Sequence, residues 1–452
     1  MIHKYKLNGF NIVLDVSSGS VHIVDDLIFD MLSFFEDDKI PSFEKICKEI
    51  SSTDTNTLKE CYEDIIALVE AGVLFSKDNY EQFKNATENS PVKAMCLHIA
   101  HDCNLRCDYC FAAKGNFGGQ AKLMDFETGK KAIDFLIENS QKRRNIEVDF
   151  FGGEPLMNFE VVKQIVSYAR GLEEKHNKNF RFTITTNGLL LSDDKIEYIN
   201  KEMSNTVLSI DGRKDINDKL RLKANGKGSY DDIVPKYLKL VKNRDNDYYV
   251  RGTFTKNNLD FSEDVFHLFD IGFDQISVEP VVSDPKMDYS IKESDLDQIF
   301  AEYEALACKM IVHKKDKSKG HINFFHFMID LDNGPCAVKR IKGCGCGNEY
   351  VAVTPEGDIY PCHQFVGMPE WKMGTLNEGR VDAKLKNYFA NANIYKKNGC
   401  TGCWAKYFCS GGCNANNFQY QGDVLIPHRL SCELEKKRLE CAIMIKAALE
   451  TD

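Results

Sequence analysis

Seventeen cysteines in a chain of 452 residues, and above all their spacing, constrain what this sequence folds around. None lies between Cys110 and Cys308, whereas nine fall from Cys336 to Cys432. The N-terminus, Met1-Ile2-His3-Lys4-Tyr5, has no signal-peptide apolar core, and no run of about 18 apolar residues follows anywhere. The sequence therefore predicts a cytoplasmic chain with no membrane span. Thiols stay reduced in that compartment, and a chain this long needs no disulfide staples. Clustered cysteines there read first as metal ligands.

Hydrophobic residues at 43% and charged residues at 28% are the balance of a globular protein that buries sizeable cores. At roughly 150 residues per domain the length suggests about three domains. The net charge of −10 argues against a nucleic-acid partner, which asks for a basic field.

Residues 1–80 read as one unit. Short strand patterns at 4–8, 10–15 and 21–24 are split by Asn8-Gly9 and by Ser17-Ser18-Gly19-Ser20, both hairpin signals. Three helical patterns follow, through Met31 and Phe35, through Phe43 and Ile50, and through Leu58 and Val69. This order is winged-helix-like. Residues 81–93 read as a linker. From 94 to about 282, strand patterns at 94–100, 146–151, 180–185, 206–210, 249–254 and 275–279 alternate with helical stretches. Such alternation means βα units and a parallel sheet. Six units suit a partial TIM-like barrel or an open doubly wound sheet, with the chemistry at the carboxyl ends of the strands. A long helix is expected over 294–315, with Ser294 as its N-cap. Beyond it, residues 316–452 turn to cysteine, glycine and short elements, a texture that folds around metal. One hairpin is expected at 350–362 and a last helix at about 433–449.

The loop after the first barrel strand reads Cys103-Asn104-Leu105-Arg106-Cys107-Asp108-Tyr109-Cys110. Three thiolates there can wrap one face of a [4Fe–4S] cube and leave one iron open. Zinc is the alternative, but the loop offers no easy fourth ligand, since His101 lies too close in sequence. Cx3Cx2C with an aromatic before its last cysteine, after the first strand of a βα barrel, resembles the radical S-adenosylmethionine (radical SAM) superfamily. The resemblance implies that the open iron chelates SAM and that a 5′-deoxyadenosyl radical abstracts a substrate hydrogen.

That resemblance extends along the barrel. Gly152-Gly153-Glu154-Pro155 is similar to the segment that meets the SAM amino group; in isolation it reads as a tight turn. Asn187, in Thr185-Thr186-Asn187-Gly188, falls in a strand-end cluster near the cofactor in relatives. Ser209-Ile210-Asp211-Gly212 and Arg221 resemble the region where a serine and an arginine hold the SAM carboxylate; alone, Arg221 reads as a surface ion pair. Glu279 ends the sixth strand and would face the adenine. The cofactor set implied here is Tyr109, Gly152, Gly153, Glu154, Asn187, Ser209, Asp211, Arg221 and Glu279.

Further on, Cys344 and Cys346 precede Gly357 and Cys362, and Cys400-x2-Cys403-x5-Cys409-x3-Cys413 is followed by Cys432. Spacing alone allows a zinc site at Cys400, Cys403, Cys409 and Cys413. The pattern resembles the SPASM extension of radical SAM enzymes, which holds two auxiliary [4Fe–4S] clusters. Carried over, Cys400, Cys403, Cys409 and Cys432 hold the second auxiliary cluster. Cys362 and Cys413, with Cys344 or Cys346 or both, hold the first. Cys47, Cys61, Cys308 and Cys441 read as core thiols; Cys96 and Cys336 receive no role.

SPASM enzymes mostly modify ribosomally made peptides or proteins, and the N-terminal unit resembles the winged helix that binds their leader peptides, a strand-addition mode. DNA reading is the alternative for such a unit, but its third helix carries Lys59 against Glu60, Glu63, Asp64 and Glu70. His363 follows Cys362 where sulfatase-maturating relatives place an aspartate base. Pro361-Cys362-His363-Gln364-Phe365 looks more like the maturases that form thioether crosslinks in cysteine-rich peptides, and the whole layout most resembles the maturases of SCIFF (six cysteines in forty-five) peptides. The resemblance implies a (βα)6 barrel with an N-terminal winged-helix-like domain and a C-terminal iron–sulfur domain. It also implies three [4Fe–4S] clusters, SAM, a precursor peptide whose leader docks on the N-terminal domain, a low-potential electron donor, and His363 as a proton acceptor. Another SPASM chemistry and a non-catalytic metal-binding interaction module are the alternatives.

Overall fold

The two-residue turn Asn8-Gly9 sets the start of the fold. Both residues take positive φ, 50° and 80°, the backbone a type I′ hairpin demands. It joins β1 (Ile2–Leu7) to β2 (Phe10–Asp15), and β3 (Val21–Val24) completes an antiparallel sheet with β2 in the centre. Helices Asp26–Met31, Phe43–Glu49 and Thr55–Glu70 follow. Asp25 and Asp54 cap the first and third by accepting their free backbone N–H groups. Met31, Ile46, Leu58 and Ile65 close over Val13 of β2. This computed structural model describes every residue except 38, 51–53, 86–89, 332–336 and 451–452, so Cys336 lies outside the described residues.

A second sheet holds ten strands. Its six central strands are β4 (Ala94–Ala100), β5 (Asn145–Gly152), β6 (Asn179–Thr186), β7 (Asn205–Ser209), β8 (Asp247–Phe254) and β9 (Gln275–Pro280). They are all parallel and lie in chain order. A doubly wound sheet would reverse its order at a switch point; the order of these six does not reverse, so the partial-barrel alternative is the one realised. Each strand falls within about two residues of its predicted span. Side chains alternate: Leu97, Val148 and Phe182 pack outward in the main core, whereas Cys96 and Phe151 pack inward beside Tyr350, Ala352 and Cys362.

Four further strands complete the sheet. β10 (Asn323–Phe324) extends the sheet beyond β9. The expected hairpin forms as β11 (Tyr350–Val353) and β12 (Asp358–Tyr360), with β13 (Gly374–Thr375) beside it. It does not stand apart in a separate cysteine module. β11 lies parallel against β4, so the hairpin continues the barrel sheet. The long helix runs Leu296–Lys315, and Asp295 rather than Ser294 is its N-cap. Ser294 sits instead in a 3-10 turn whose backbone is closed by the Asp295 carboxylate on the Lys292 N–H at 2.9 Å. The last helix starts early, at Arg429, and so takes Cys432 into its first turn. Among the described residues no helix is long and apolar enough to cross a membrane. Cys61 and Cys441 are buried, and Cys47 and Cys308 pack partly buried against the same cores.

Candidate iron–sulfur and cofactor site

The loop that follows β4 carries Cys103, Cys107 and Cys110 and is pinned on both sides. Arg106 and Asp108 donate their N–H groups to the carbonyls of Leu222 and Leu220, at 2.7 and 3.1 Å. Gly115, at φ 103°, packs so closely that a Cβ would lie 2.6 Å from the Cys103 Cβ. Cys103 accepts the Leu105 N–H at 3.4 Å. Burial, with Glu154 nearby, pushes the Cys103 thiol up to about 12; burial pushes Cys107 up to about 11. Buried thiols of this kind ionise when a metal takes the sulfur.

All three thiols line one cavity of about 150 Å³, together with Tyr109, Gly152, Gly153, Glu154, Asn187, Ser209 and Arg221. The two glycines are required by space. A Cβ would stand 2.3 Å from the Ala100 carbonyl oxygen at Gly152 and 2.0 Å from that of Asp102 at Gly153. Their closeness lets Gly153 and Glu154 donate to Ala100 and Asp102 at 2.7 and 2.9 Å, clamping the cysteine loop to the end of β5. Asn187 donates to Asn104 at 2.7 Å and to the Cys103 sulfur at 3.6 Å.

The three acids expected at the cofactor take three different places. Glu154 is buried and lines the cavity, but its carboxylate accepts from Leu156 N, Thr186 Oγ1 and Asn187 N at 3.0, 2.7 and 2.8 Å. Asp211 lies behind the cavity wall, where it accepts the Tyr109 hydroxyl and the Thr253 N–H. Glu279 sits in a different and larger cavity of about 530 Å³, with Cys409, Cys413, Cys432 and Arg438. Against burial, which raises it, Arg251, His326 and Arg438 hold Glu279 down at about 2. Sequence reasoning missed Phe111 and Phe151, which line the thiol cavity with rings stacked at 6.4 Å. The inward alternation along β5 was the available signal for Phe151. His363 packs against both rings, at 5.4 and 5.1 Å. Burial and the Arg251 charge lower it to about 4, so it is neutral at neutral pH.

Cys400, Cys403, Cys409 and Cys432 surround a small cavity of about 30 Å³. The early start of the last helix brings Cys432 there. Cys344, Cys346, Cys362 and Cys413 form a second group. Cys346 hydrogen-bonds Cys362, which also accepts the N–H groups of Gln364 and Phe365. Cys344 and Cys413 feel the Cys362 charge as well. Among the described residues no three ligands converge tightly enough for a single metal ion. A mononuclear zinc site needs four at about 2.0–2.3 Å from one point; two of the three thiol groups line cavities instead. The donor sets fit iron–sulfur clusters at three places. Cys103, Cys107 and Cys110 would hold one, and Arg221 Nε, buried without a protein acceptor at the first cavity, suits a ligand carboxylate.

A parallel barrel with thiols at the end of its first strand and two further thiol groups beyond offers donor sets for iron–sulfur clusters at three places. Comparison with known proteins agrees. The family model for a 4Fe-4S single cluster domain matches residues 92–235. An uncharacterised protein of Methanocaldococcus jannaschii is 34% identical over 189 residues, 42% of this chain; the chain spans 62% of that relative's length. A cysteine-type anaerobic sulfatase-maturating enzyme of Clostridium novyi is 26% identical over 332 residues, 70% of this chain and 86% of that one. The radical SAM cyclopropyl synthase TigE of Paramaledivibacter caminithermalis is 22% identical, over 95% of this chain and 91% of its own. Two solved structures share the fold. The structure of anSMEcpe with bound AdoMet has TM-score 0.65 at 18% identity, over 80% of this chain and all of that one. Streptococcus suis SuiB bound to its precursor peptide SuiA has TM-score 0.55 at 17% identity, over 95% and 98%.

The chain is thus similar to sulfatase-maturating and radical SAM enzymes, and it shares the fold of anSMEcpe and SuiB. The matched family model, for a single 4Fe-4S cluster, spans the Cys103, Cys107 and Cys110 loop.

Proposed function

We propose that this enzyme installs a thioether crosslink, from a cysteine sulfur to a backbone or side-chain carbon, in a ribosomally made cysteine-rich peptide. The observation that carries the reading is the neutral His363 directly after Cys362, packed against the aromatic wall of the thiol cavity. When bound, the first cluster and SAM supply a 5′-deoxyadenosyl radical that removes a hydrogen atom from the peptide.

The chain's own residues do the rest. Cys103, Cys107 and Cys110 hold the first cluster, and the Gly152-Gly153 backbone, Asn187, Ser209 and Arg221 receive SAM. Cys362 and Cys413, with Cys344 or Cys346 or both, hold the first auxiliary cluster; Cys400, Cys403, Cys409 and Cys432 hold the second. His363 accepts the proton that the peptide cysteine gives up, since its neutral ring keeps one nitrogen as an acceptor. Clusters held by the auxiliary cysteines would take up the electron left over, and a cluster on Cys103, Cys107 and Cys110 would be charged by a low-potential donor.

Residues 1–80 form the leader-recognition domain, 94–315 the barrel and following helix, and 316–452 the SPASM domain, with 81–93 between the first two. The leader adds as a strand to β3, whose outer edge pairs with no strand among the described residues. Ile23 on that strand is 41% exposed, an apolar contact for it. Nucleic acid does not fit the acidic helix Thr55–Glu70. The cytoplasm supplies the reduced peptide thiols that the reaction consumes.

Incubation of the reconstituted enzyme with SAM, dithionite and the cysteine-rich peptide encoded beside it tests the reading. Loss of two hydrogens and one alkylatable thiol supports a thioether. Loss of two hydrogens with every thiol intact points to another SPASM chemistry. Thioether formation without SAM would sink the scheme.

A further inference from the structure

The guanidinium of Arg221 and the carboxylate of Asp211 are both buried, at 8% and 1% exposure, and face each other. Such a pair ordinarily closes into a two-pronged ion pair at hydrogen-bond distance. Here it does not. The nearest approach, Arg221 Nη1 to Asp211 Oδ1, is 3.9 Å. The Tyr109 hydroxyl stands between them. It accepts from Arg221 Nη1 at 2.8 Å and donates to the Asp211 oxygens at 2.8 and 2.7 Å. Asp211 is held from behind by the Thr253 N–H at 3.1 Å. Arg221 Nε has no acceptor among the described residues, and Arg221 lines the thiol cavity.

We propose that Tyr109 is a positioning residue: its hydroxyl keeps Arg221 from pairing directly with Asp211 and so leaves the guanidinium edge free for the carboxylate of the bound cofactor. This rests on the reading that SAM binds in this cavity with its carboxylate toward Arg221. The residue before the last cysteine of the loop thus acts through its hydroxyl as well as through its ring. Asp211 is the counter-charge that Tyr109 spaces off, so the buried guanidinium is neutralised at one remove. Without the hydroxyl, Asp211 captures Arg221.

The test measures binding, by equilibrium dialysis, of SAM and of decarboxylated SAM to the reconstituted full-length protein. Cluster content is checked by iron and by absorbance. Wild type should prefer SAM. Tyr109→Phe should weaken SAM by about tenfold, a change of about 1.4 kcal/mol, and leave decarboxylated SAM unaffected. Adding Asp211→Asn to Tyr109→Phe removes the competing charge and should restore SAM binding, a rescue that a merely structural tyrosine would not give. Equal weakening of both ligands, or no rescue, overturns the proposal. Wild type that binds both compounds equally overturns it too, by removing Arg221 from the carboxylate. Wild type that binds neither overturns the SAM reading beneath it.

Discussion

The Glu154 carboxylate accepts the backbone N–H of Asn187 at 2.8 Å, so a buried acid ties the end of β5 to the end of β6. With Thr186 Oγ1 and Leu156 N on the same carboxylate, its oxygens are engaged by the protein itself. Three donors converge on it, and an amide in its place would set N–H against N–H. Glu154→Gln should therefore lower the free energy of unfolding by about 1–3 kcal/mol, read from urea denaturation. An unchanged midpoint would show that the carboxylate is not structural.

Gly153 admits no side chain, because a Cβ there would overlap the Asp102 carbonyl at 2.0 Å. That carbonyl belongs to the backbone immediately before Cys103. Gly153→Ala should displace the cysteine loop and remove roughly four irons from the reconstituted protein, one cube's worth. Iron analysis checks it; a full complement of iron would mean the loop absorbs the methyl group.

Asp149 faces the barrel interior, paired in register with Cys96 on one side and Thr183 on the other. Burial, then the neighbouring Glu147 charge, raise its carboxyl from 3.8 to about 7, against the Thr183 hydrogen bond. An acid with its folded value raised binds its proton more tightly in the native state, so stability falls as pH rises from about 4 through about 7. Wild type should be more stable to urea at about pH 6 than at about pH 8, and Asp149→Asn should flatten that difference. Equal slopes in the two proteins would contradict the assignment.

His3 of β1 stacks on Trp404 with centroids 3.8 Å apart and planes 2° from parallel, and its Nε2 meets Glu440 at 3.0 Å. Trp404 follows Cys403. Asp78 adds a contact to Lys406 at 3.0 Å. The three-stranded unit is thus fastened to the second auxiliary thiol group. His3→Ala should cost about 1 kcal/mol and speed proteolytic cleavage between residues 75 and 93. Unchanged cleavage would show that the stack carries no load.

The sequence disclosed the barrel because each strand is short, apolar and followed by a helix, so local pattern and tertiary place agree. The first thiol cavity was legible for the same reason: its residues fall at successive strand ends. The place of the C-terminal hairpin was not. Tyr350 pairs with Ala94 across more than half the chain, and no local signal encodes such a partner. Nor does spacing reveal how a buried acid is spent. Glu154 and Asp211 carry the right chemistry for a ligand, but Thr186, Asn187 and Tyr109 reach them first, and that competition is visible only in three dimensions. Glu279 ends its strand as expected, yet Arg251 and Arg438 draw it toward the larger cavity.

The central claim is that the three thiol groups hold three clusters and that the first, with SAM, drives radical chemistry. The direct measurement is on protein purified without oxygen and reconstituted: iron and sulfide are counted, dithionite and SAM are added, and 5′-deoxyadenosine is sought. About twelve irons per chain together with deoxyadenosine is the predicted result. Zinc in place of iron, with no deoxyadenosine, would contradict it and leave a metal-binding interaction module.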